Sequence, residues 1–249
     1  MVGRHEGDVA CANTWSAGTR PDPAPVDDDH PFLYLRTRSI PPLYLVTIAA
    51  ILLASLVLIR LAAGPLAQMR NDLDLFFMGA AFLLLETKNV VQFALLFGTT
   101  WFVNALVFFG ILVSVFAAIE LARRVHLRNP SRLYLALFAT LALAWMIQPE
   151  SLLSLGVPLR FAAAVSLAFA PIFLANLVFA ERFRNVGSST IAFGANLLGA
   201  MVGGILEYSS LILGYRSLLV LVALLYGLAF VFGRKQLRSS APLPQIMQN

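Results

Sequence analysis

Two charged residues, Glu86 and Lys88, lie close to the middle of a long apolar run. A charge at the centre of a bilayer costs about 2.5–3.5 kcal/mol on the insertion scale, so such residues normally face protein or a water-filled cavity. On a helix, Lys88, Asn89, Gln92 and Glu86 fall within an arc of roughly 160°, with Lys88 and Glu86 at its two edges. Two interpretations stay open: a substrate or ion site, or a buried polar network that holds the helices together.

A second set of residues follows a later apolar run, between positions 194 and 208. Asn196, Gly199, Gly203 and Glu207 fall on one helical stripe about 100° wide. Gly199 and Gly203 are typical of helix packing, because small residues four apart let another backbone approach closely. Glu207 lies on this packed stripe within the predicted span, and we predict that it pairs with Lys88, whose long side chain can reach it.

The chain carries no motif of a known catalytic or metal centre. It has no Walker loop, no Gly-x-Gly-x-x-Gly after a strand, no His-Glu-x-x-His and no Gly-x-Ser-x-Gly. We therefore expect no catalytic residues, no metal and no cofactor. An intramembrane enzyme is the weaker alternative, since it needs a nucleophile or a metal cluster that the sequence does not supply.

The charged residues need helices that cross a bilayer, and the composition favours such a fold. Hydrophobic residues make up 59% of the 249 positions and charged residues only 12%, about half the share usual in soluble domains. We predict an all-α polytopic membrane protein, because lipid-exposed strand edges are not viable at membrane depth. The seven runs long enough to cross about 30 Å of hydrocarbon are 43–63, 74–98, 101–122, 132–149, 157–180, 189–213 and 216–233.

The distribution of charge predicts the orientation. Lys and Arg residues concentrate on the side of the 123–132 loop and the C-terminus, which the positive-inside rule places in the cytoplasm of a cell-membrane protein. Seven spans then leave the N-terminus outside. We predict a disordered tail over residues 1–31, a transmembrane domain over 32–238 and a C-terminal tail over 239–249. The net charge of +5 forms no single patch, which excludes a nucleic-acid partner.

Three stretches resemble large membrane-bound spermidine synthase-like proteins. Residues 28–36, DDHPFLYLR, resemble the junction that follows the catalytic domain of those proteins. Residues 77–88, FMGAAFLLLETK, continued by 96–104, resemble their membrane part. So do residues 194–208, GANLLGAMVGGILEY, continued by 214–216. The likeness covers about residues 27–233.

The resemblance implies a membrane module that is usually fused behind an aminopropyltransferase-like Rossmann domain. That domain has no counterpart in this chain, so no synthase activity is carried over and we expect no enzyme. One interpretation left open is a fragment whose synthase-like domain is encoded upstream of Met1. The order of helices after residue 70 also resembles the six-helix halves of major facilitator transporters, which use two halves, so a homodimer is a further expectation.

The leading functional hypothesis is the movement or sensing of a small cationic solute, a polyamine in view of the resemblance. Glu86 and Glu207 would attract the cation, and Lys88 would hold one of the two carboxylates in the empty state. The rest of the predicted polar lining is Asn89, Gln92, Asn104 and Asn196. The alternative is a non-catalytic membrane anchor, with the lipid bilayer and a separate synthase-like domain as its partners.

Overall fold

The computed structural model describes residues 42–63, 66–125 and 129–239, and within these ranges it contains helices and turns but no strand. The helices are α1 (Pro42–Ala63), α2 (Leu73–Phe97), α3 (Trp101–Arg124), α4 (Pro130–Met146), α5 (Pro149–Leu153), α6 (Val157–Phe183), α7 (Ser189–Leu206), α8 (Ser210–Leu213) and α9 (Ser217–Ser239). A 3₁₀ segment precedes α2 and another joins α7 to α8. The predicted all-α polytopic fold is confirmed. The predicted tail over residues 1–31 lies outside the described residues.

Six stretches of helix are long and apolar enough to cross a membrane: α1, α2, α3, α6, α9 and the continuous α7–α8 segment. The fourth predicted run is the exception, because its helix α4 ends at Met146 instead of residue 149. Pro149 begins the separate short helix α5, and a proline restricts the residue before it to extended backbone. Hydropathy alone does not detect such a break.

Contacts at both ends show that α4 nevertheless lies along α9. Near its start, the ring of Tyr134 lies 5.0 Å from that of Phe230 near the end of α9. Near its end, the carbonyl of Trp145 accepts a hydrogen bond of 3.3 Å from Arg216, just before α9 begins. Helix α4 is therefore antiparallel to α9 and lies beside it, although it is shorter than the six stretches that are long enough to cross a membrane.

The ends of α2, α3 and α6 fix which helix termini share a side. The guanidinium of Arg182, at the end of α6, binds Asp74 at the start of α2. The neighbouring Arg184 donates to the carbonyl of Ala122, close to the end of α3. We call this side the Arg182 end. At the opposite end the rings of Phe97 and Phe161 lie 5.7 Å apart, beside the turn from α2 to α3.

Helix α2 is the central helix of the bundle. It packs mainly against α7 and α9, with further contacts to α3 and α6, and its buried apolar residues lie in the largest core cluster. Helix α1 packs chiefly on α7 and is mostly exposed, as expected of a helix that faces lipid. Only about two residues separate the predicted runs 189–213 and 216–233, and so short a link usually makes two helices antiparallel neighbours. Instead α7 and α9 each pack mainly on α2.

Two glycines make the tight turns between spans. Gly98 after α2 has a φ of 93° and Gly214 after α8 has a φ of 87°. Side chains strongly disfavour this left-handed backbone region, whereas glycine adopts it freely. After Gly98, the side chain of Thr100 accepts a hydrogen bond of 3.2 Å from the amide of Val103 and so caps the start of α3.

Candidate functional site

Three polar residues of α2 form a buried cluster in the middle of the membrane-spanning part. Lys88, Asn89 and Gln92 are only 4%, 0% and 3% exposed. The Lys88 ammonium donates to Oε1 of Gln92, one helical turn away. The Asn89 amide donates to the carbonyl of Ala168 on α6 at 3.1 Å, three residues before Pro171, which lies inside that helix. The cluster therefore joins α2 to α6 through a backbone contact.

The ion pair predicted between Lys88 and Glu207 is absent. Lys88 uses an amide oxygen as its acceptor, and no described carboxylate lies within ion-pairing distance of it. The positive charge of Arg216 repels that of the Lys88 ammonium. In addition, Oδ1 of Asn89 has no hydrogen-bond partner among the described residues. The cluster thus has spare donors on Lys88 and a spare acceptor on Asn89.

Glu207 contacts the residue beside Lys88 instead. The hydroxyl of Thr87 on α2 donates to Oε2 of Glu207 at 3.3 Å, across the α2–α7 interface. Thr87 is one helical step, about 100°, from Lys88, so the two side chains point to different neighbours. Glu207 is half-buried where α7 passes into the 3₁₀ segment. The predicted role of Lys88 in holding this carboxylate is therefore wrong.

Glu86 is half-buried on α2, next to Thr87 in the chain. None of the hydrogen bonds or ion pairs between described residues involves its carboxylate. Glu86 follows Gly79 by seven residues, nearly two helical turns, and Gly79 packs against Asn196 of α7, so Glu86 lies toward α7 whereas Lys88 lies in the core. The two carboxylates and the lysine, which the sequence grouped into one site, thus belong to two separate environments.

Asn196 and the glycines near it bring α2 and α7 into backbone contact. The Asn196 amide donates to the carbonyl of Leu75 at 3.0 Å. A Cβ at Gly203 would lie 2.5 Å from the carbonyl oxygen of Ala80, and one at Gly199 would overlap the carbonyl of Phe76. Both glycines thus lie where helix packing was predicted. Asn196 joins this packing interface near the Arg182 end and does not reach the Lys88 cluster.

Asn104 is a predicted site residue that takes no part in this arrangement. Its side chain is exposed in the first turn of α3, and it shares no hydrogen bond with the other predicted polar residues. The polar lining expected from Asn89, Gln92, Asn104 and Asn196 therefore does not form one surface. Asn89 and Gln92 belong to the buried cluster, and Asn196 belongs to the interface between α2 and α7. Asn104 lies on the exposed surface of α3.

A buried ionic cluster at the Arg182 end was not among the residues predicted from sequence. Arg182, 4% exposed, donates through Nε to Asp74 at 2.5 Å and through Nη2 to Asp72 at 3.1 Å. Asp74 itself is 1% exposed. Arg182 lies two residues beyond the predicted run 157–180, where an arginine is usually solvated. The available signal was an acid and a base at the same predicted depth, at the ends of two different spans.

Substitutions at Gln92 and Lys88 distinguish the stability gained from their hydrogen bond from the cost of burying the Lys88 charge. Gln92→Leu removes the acceptor of a buried ammonium, and we expect it to lower the free energy of unfolding by about 2–3 kcal/mol. Lys88→Met keeps the length of the side chain and removes the buried charge, so it should be neutral or stabilising. Unfolding in mixed detergent micelles measures both. Equal losses in the two variants would show that the ammonium has a stabilising partner besides Gln92.

No protein-family model, curated protein or solved structure matches this chain. The likenesses to spermidine synthase-like membrane modules and to facilitator halves therefore stay predictions.

Proposed function

We propose that this multi-pass membrane protein binds a small organic cation between α2 and α7, and transports or senses it. The observation that carries the proposal is the accessibility of the mid-span charges. Among the described residues, the carboxylates of Glu86 and Glu207 are half-buried, whereas the ammonium of Lys88 is only 4% exposed. The charge that a solute can reach at this depth is therefore negative.

The two carboxylates have the chemistry that an amine requires. Glu86 keeps both oxygens free of described partners, and Glu207 accepts a single bond from Thr87. An ammonium group donates several hydrogen bonds, and a charge-assisted bond is strong where water is scarce. A solute with two or more amines, such as a polyamine, would satisfy both carboxylates at once. The resemblance of residues 77–88 and 194–208 to spermidine synthase-like modules supports the same class of solute.

Lys88 has a different role in this proposal from the one predicted from sequence. It lies in the core with Gln92 and contacts neither carboxylate. We therefore assign it, with Asn89, to the junction of α2 with α6. The proposed solute would contact the other side of α2, next to α7, so its binding would act on the α2–α7 interface.

Flux measurements in proteoliposomes test the proposal, with radiolabelled spermidine as the probe. Glu207→Gln and Glu86→Gln each remove one charge-assisted hydrogen bond to the solute, which is worth about 1.5–3 kcal/mol. Each variant should therefore bind spermidine with an apparent affinity about tenfold weaker or more. Glu120→Gln is the matched control, because Glu120 pairs with Arg123 and Arg124 at a span end. Unchanged flux in both variants, with insertion intact, would contradict the proposal and favour the membrane-anchor alternative.

The orientation belongs to the same proposal. We infer that the Arg182 end faces the cytoplasm of a cell-membrane protein, because the charge distribution concentrates Lys and Arg there. Single cysteines introduced at Arg123 and at Ser154 lie at opposite ends of the bundle and test this with an impermeant thiol reagent, after Cys11 has been replaced. Labelling of the Arg123 position in intact cells would contradict the orientation.

A further inference from the structure

Two adjoining clefts lie at the Arg182 end, beside the start of α7. The first has a volume of about 370 Å³ and a polar lining that includes Asn71, Asp72, Arg182, Asn185 and Ser188. The second, of about 240 Å³, is lined by Met69, Leu73, Phe76, Ala195 and Leu198, together with Arg70. The first cleft thus carries polar side chains among apolar surface, whereas the second is almost wholly apolar.

The same two walls continue from one cleft to the other. Ile191 lines the polar cleft, and Ala195 and Leu198 line the apolar one. Their spacing of four and three residues places them on one face of α7. All three pack in a single apolar cluster with Met69 and Phe76. Opposite them, residues 69–73 supply lining to both clefts. Together the clefts form one groove with a polar head and an apolar body, which we call the α7 groove.

The α7 groove lies at the depth where lipid headgroups are found. Three apolar helices have their ends here, since α2 and α7 begin and α6 ends at this side. The polar head of the groove adjoins the loop from α6 to α7, and its apolar body continues along α7 toward the membrane interior. This polarity matches that of a phospholipid, whose headgroup lies outside the hydrocarbon core.

The charges along the α7 groove are balanced. Arg182 is buried, and its Nη1 has no acceptor among the described residues although Nε and Nη2 are engaged. Arg70 is exposed and forms no ion pair with any described residue. Asp72 has one oxygen committed to Arg182 and a second that is free of described partners. The groove therefore offers donors for a phosphate and an acceptor for an ammonium group.

We propose that the α7 groove binds one zwitterionic phospholipid with a primary ammonium headgroup. The phosphate would accept from Arg70 and from Nη1 of Arg182, the ammonium would donate to Asp72, and one acyl chain would lie along Leu73, Ala195 and Leu198. An anionic headgroup without the amine leaves Asp72 beside an unneutralised phosphate. A choline headgroup has no N–H to donate to Asp72. We therefore expect both of these headgroups to bind more weakly than a primary ammonium headgroup.

Native mass spectrometry of the full chain in detergent tests this proposal, with phosphatidylethanolamine, phosphatidylglycerol and phosphatidylcholine supplied in equal amounts. We expect preferential retention of phosphatidylethanolamine. Arg70→Gln should reduce that retention about tenfold, since it removes a charge-assisted hydrogen bond from an exposed side chain. Leu198→Trp fills the apolar cleft and should abolish retention.

Leu197→Trp is the matched control, because Leu197 is the adjacent residue and is exposed on another face of α7. It should retain the lipid as the unaltered chain does. Equal retention of the three lipids, unchanged by Arg70→Gln and Leu198→Trp, would mean annular lipid only and overturn the proposal. Preference for phosphatidylglycerol would overturn the assignment of Asp72, and equal losses at Leu197 and Leu198 would overturn that of the groove.

Discussion

Arg182→Met is expected to lower the free energy of unfolding by about 3–5 kcal/mol, the cost of leaving buried acids without their counter-ion. Asp74 is 1% exposed and would lose its bond of 2.5 Å, and Asp72 would lose its own contact. The same change detaches the start of α2 from the end of α6. Unfolding in mixed detergent micelles, followed by helical circular dichroism, measures the loss.

Arg123→Gln supplies the comparison for Arg182. Its side chain is 71% exposed and pairs with Glu120 on the surface, so its loss should cost less than about 1 kcal/mol. The double variant Arg182→Met with Asp74→Leu should recover part of the stability, because an apolar pair replaces the uncompensated charge. A cost at Arg182 no greater than that at Arg123 would contradict the assigned role of the buried cluster.

Gly199→Ala is expected to have the largest effect of any change that adds a single methyl group. The new Cβ would overlap the carbonyl of Phe76, and a backbone atom cannot rotate away as a side chain can. Helices α2 and α7 must therefore separate, at a cost of about 1–3 kcal/mol or more. The same movement weakens the bond from Asn196 to Leu75, so unfolding measurements on this variant report on the whole interface.

Gly204 and Gly227 provide controls for Gly199, because an added methyl group should be tolerated better at each of them. At Gly204 a Cβ would meet only the flexible end of Leu83 at 3.2 Å, so alanine there should cost little. At Gly227 in α9 a Cβ would meet no heavy atom within 4 Å, and alanine is a better helix former than glycine. We expect Gly227→Ala to be neutral or stabilising. Similar losses at all three positions would contradict the close backbone approach at Gly199.

The spans could be predicted from sequence because each one is a local property of the chain. An apolar run of adequate length has to be a helix in lipid, and the predicted boundaries of α3, α6 and the continuous α7–α8 segment lie within about three residues of the observed ones. The fourth run was less well predicted because its end depends on Pro149. There a local restriction on the backbone overrides hydropathy, and α4 is a short helix as a result.

The grouping of the polar residues was less predictable, because it depends on which helices are neighbours. Helical angles correctly placed the side chains of Lys88 and Glu86 on different sides of α2. They could not predict that α7 packs beside Thr87, which lies between them in the chain. That single step around α2 decided which residue bonds Glu207. Asp74 and Arg182 were missed for a related reason. Residues at span ends are usually solvated, and nothing local distinguishes a buried pair 108 positions apart.

That sequence separation has a consequence for biosynthesis. At about 5–20 residues per second, synthesis of Arg182 follows that of Asp74 by about 5–20 s. During this interval α2 carries an acid without its base, and its other main neighbours, α7 and α9, are made later still. The central helix is thus among the first to enter the membrane and among the last to acquire its permanent neighbours.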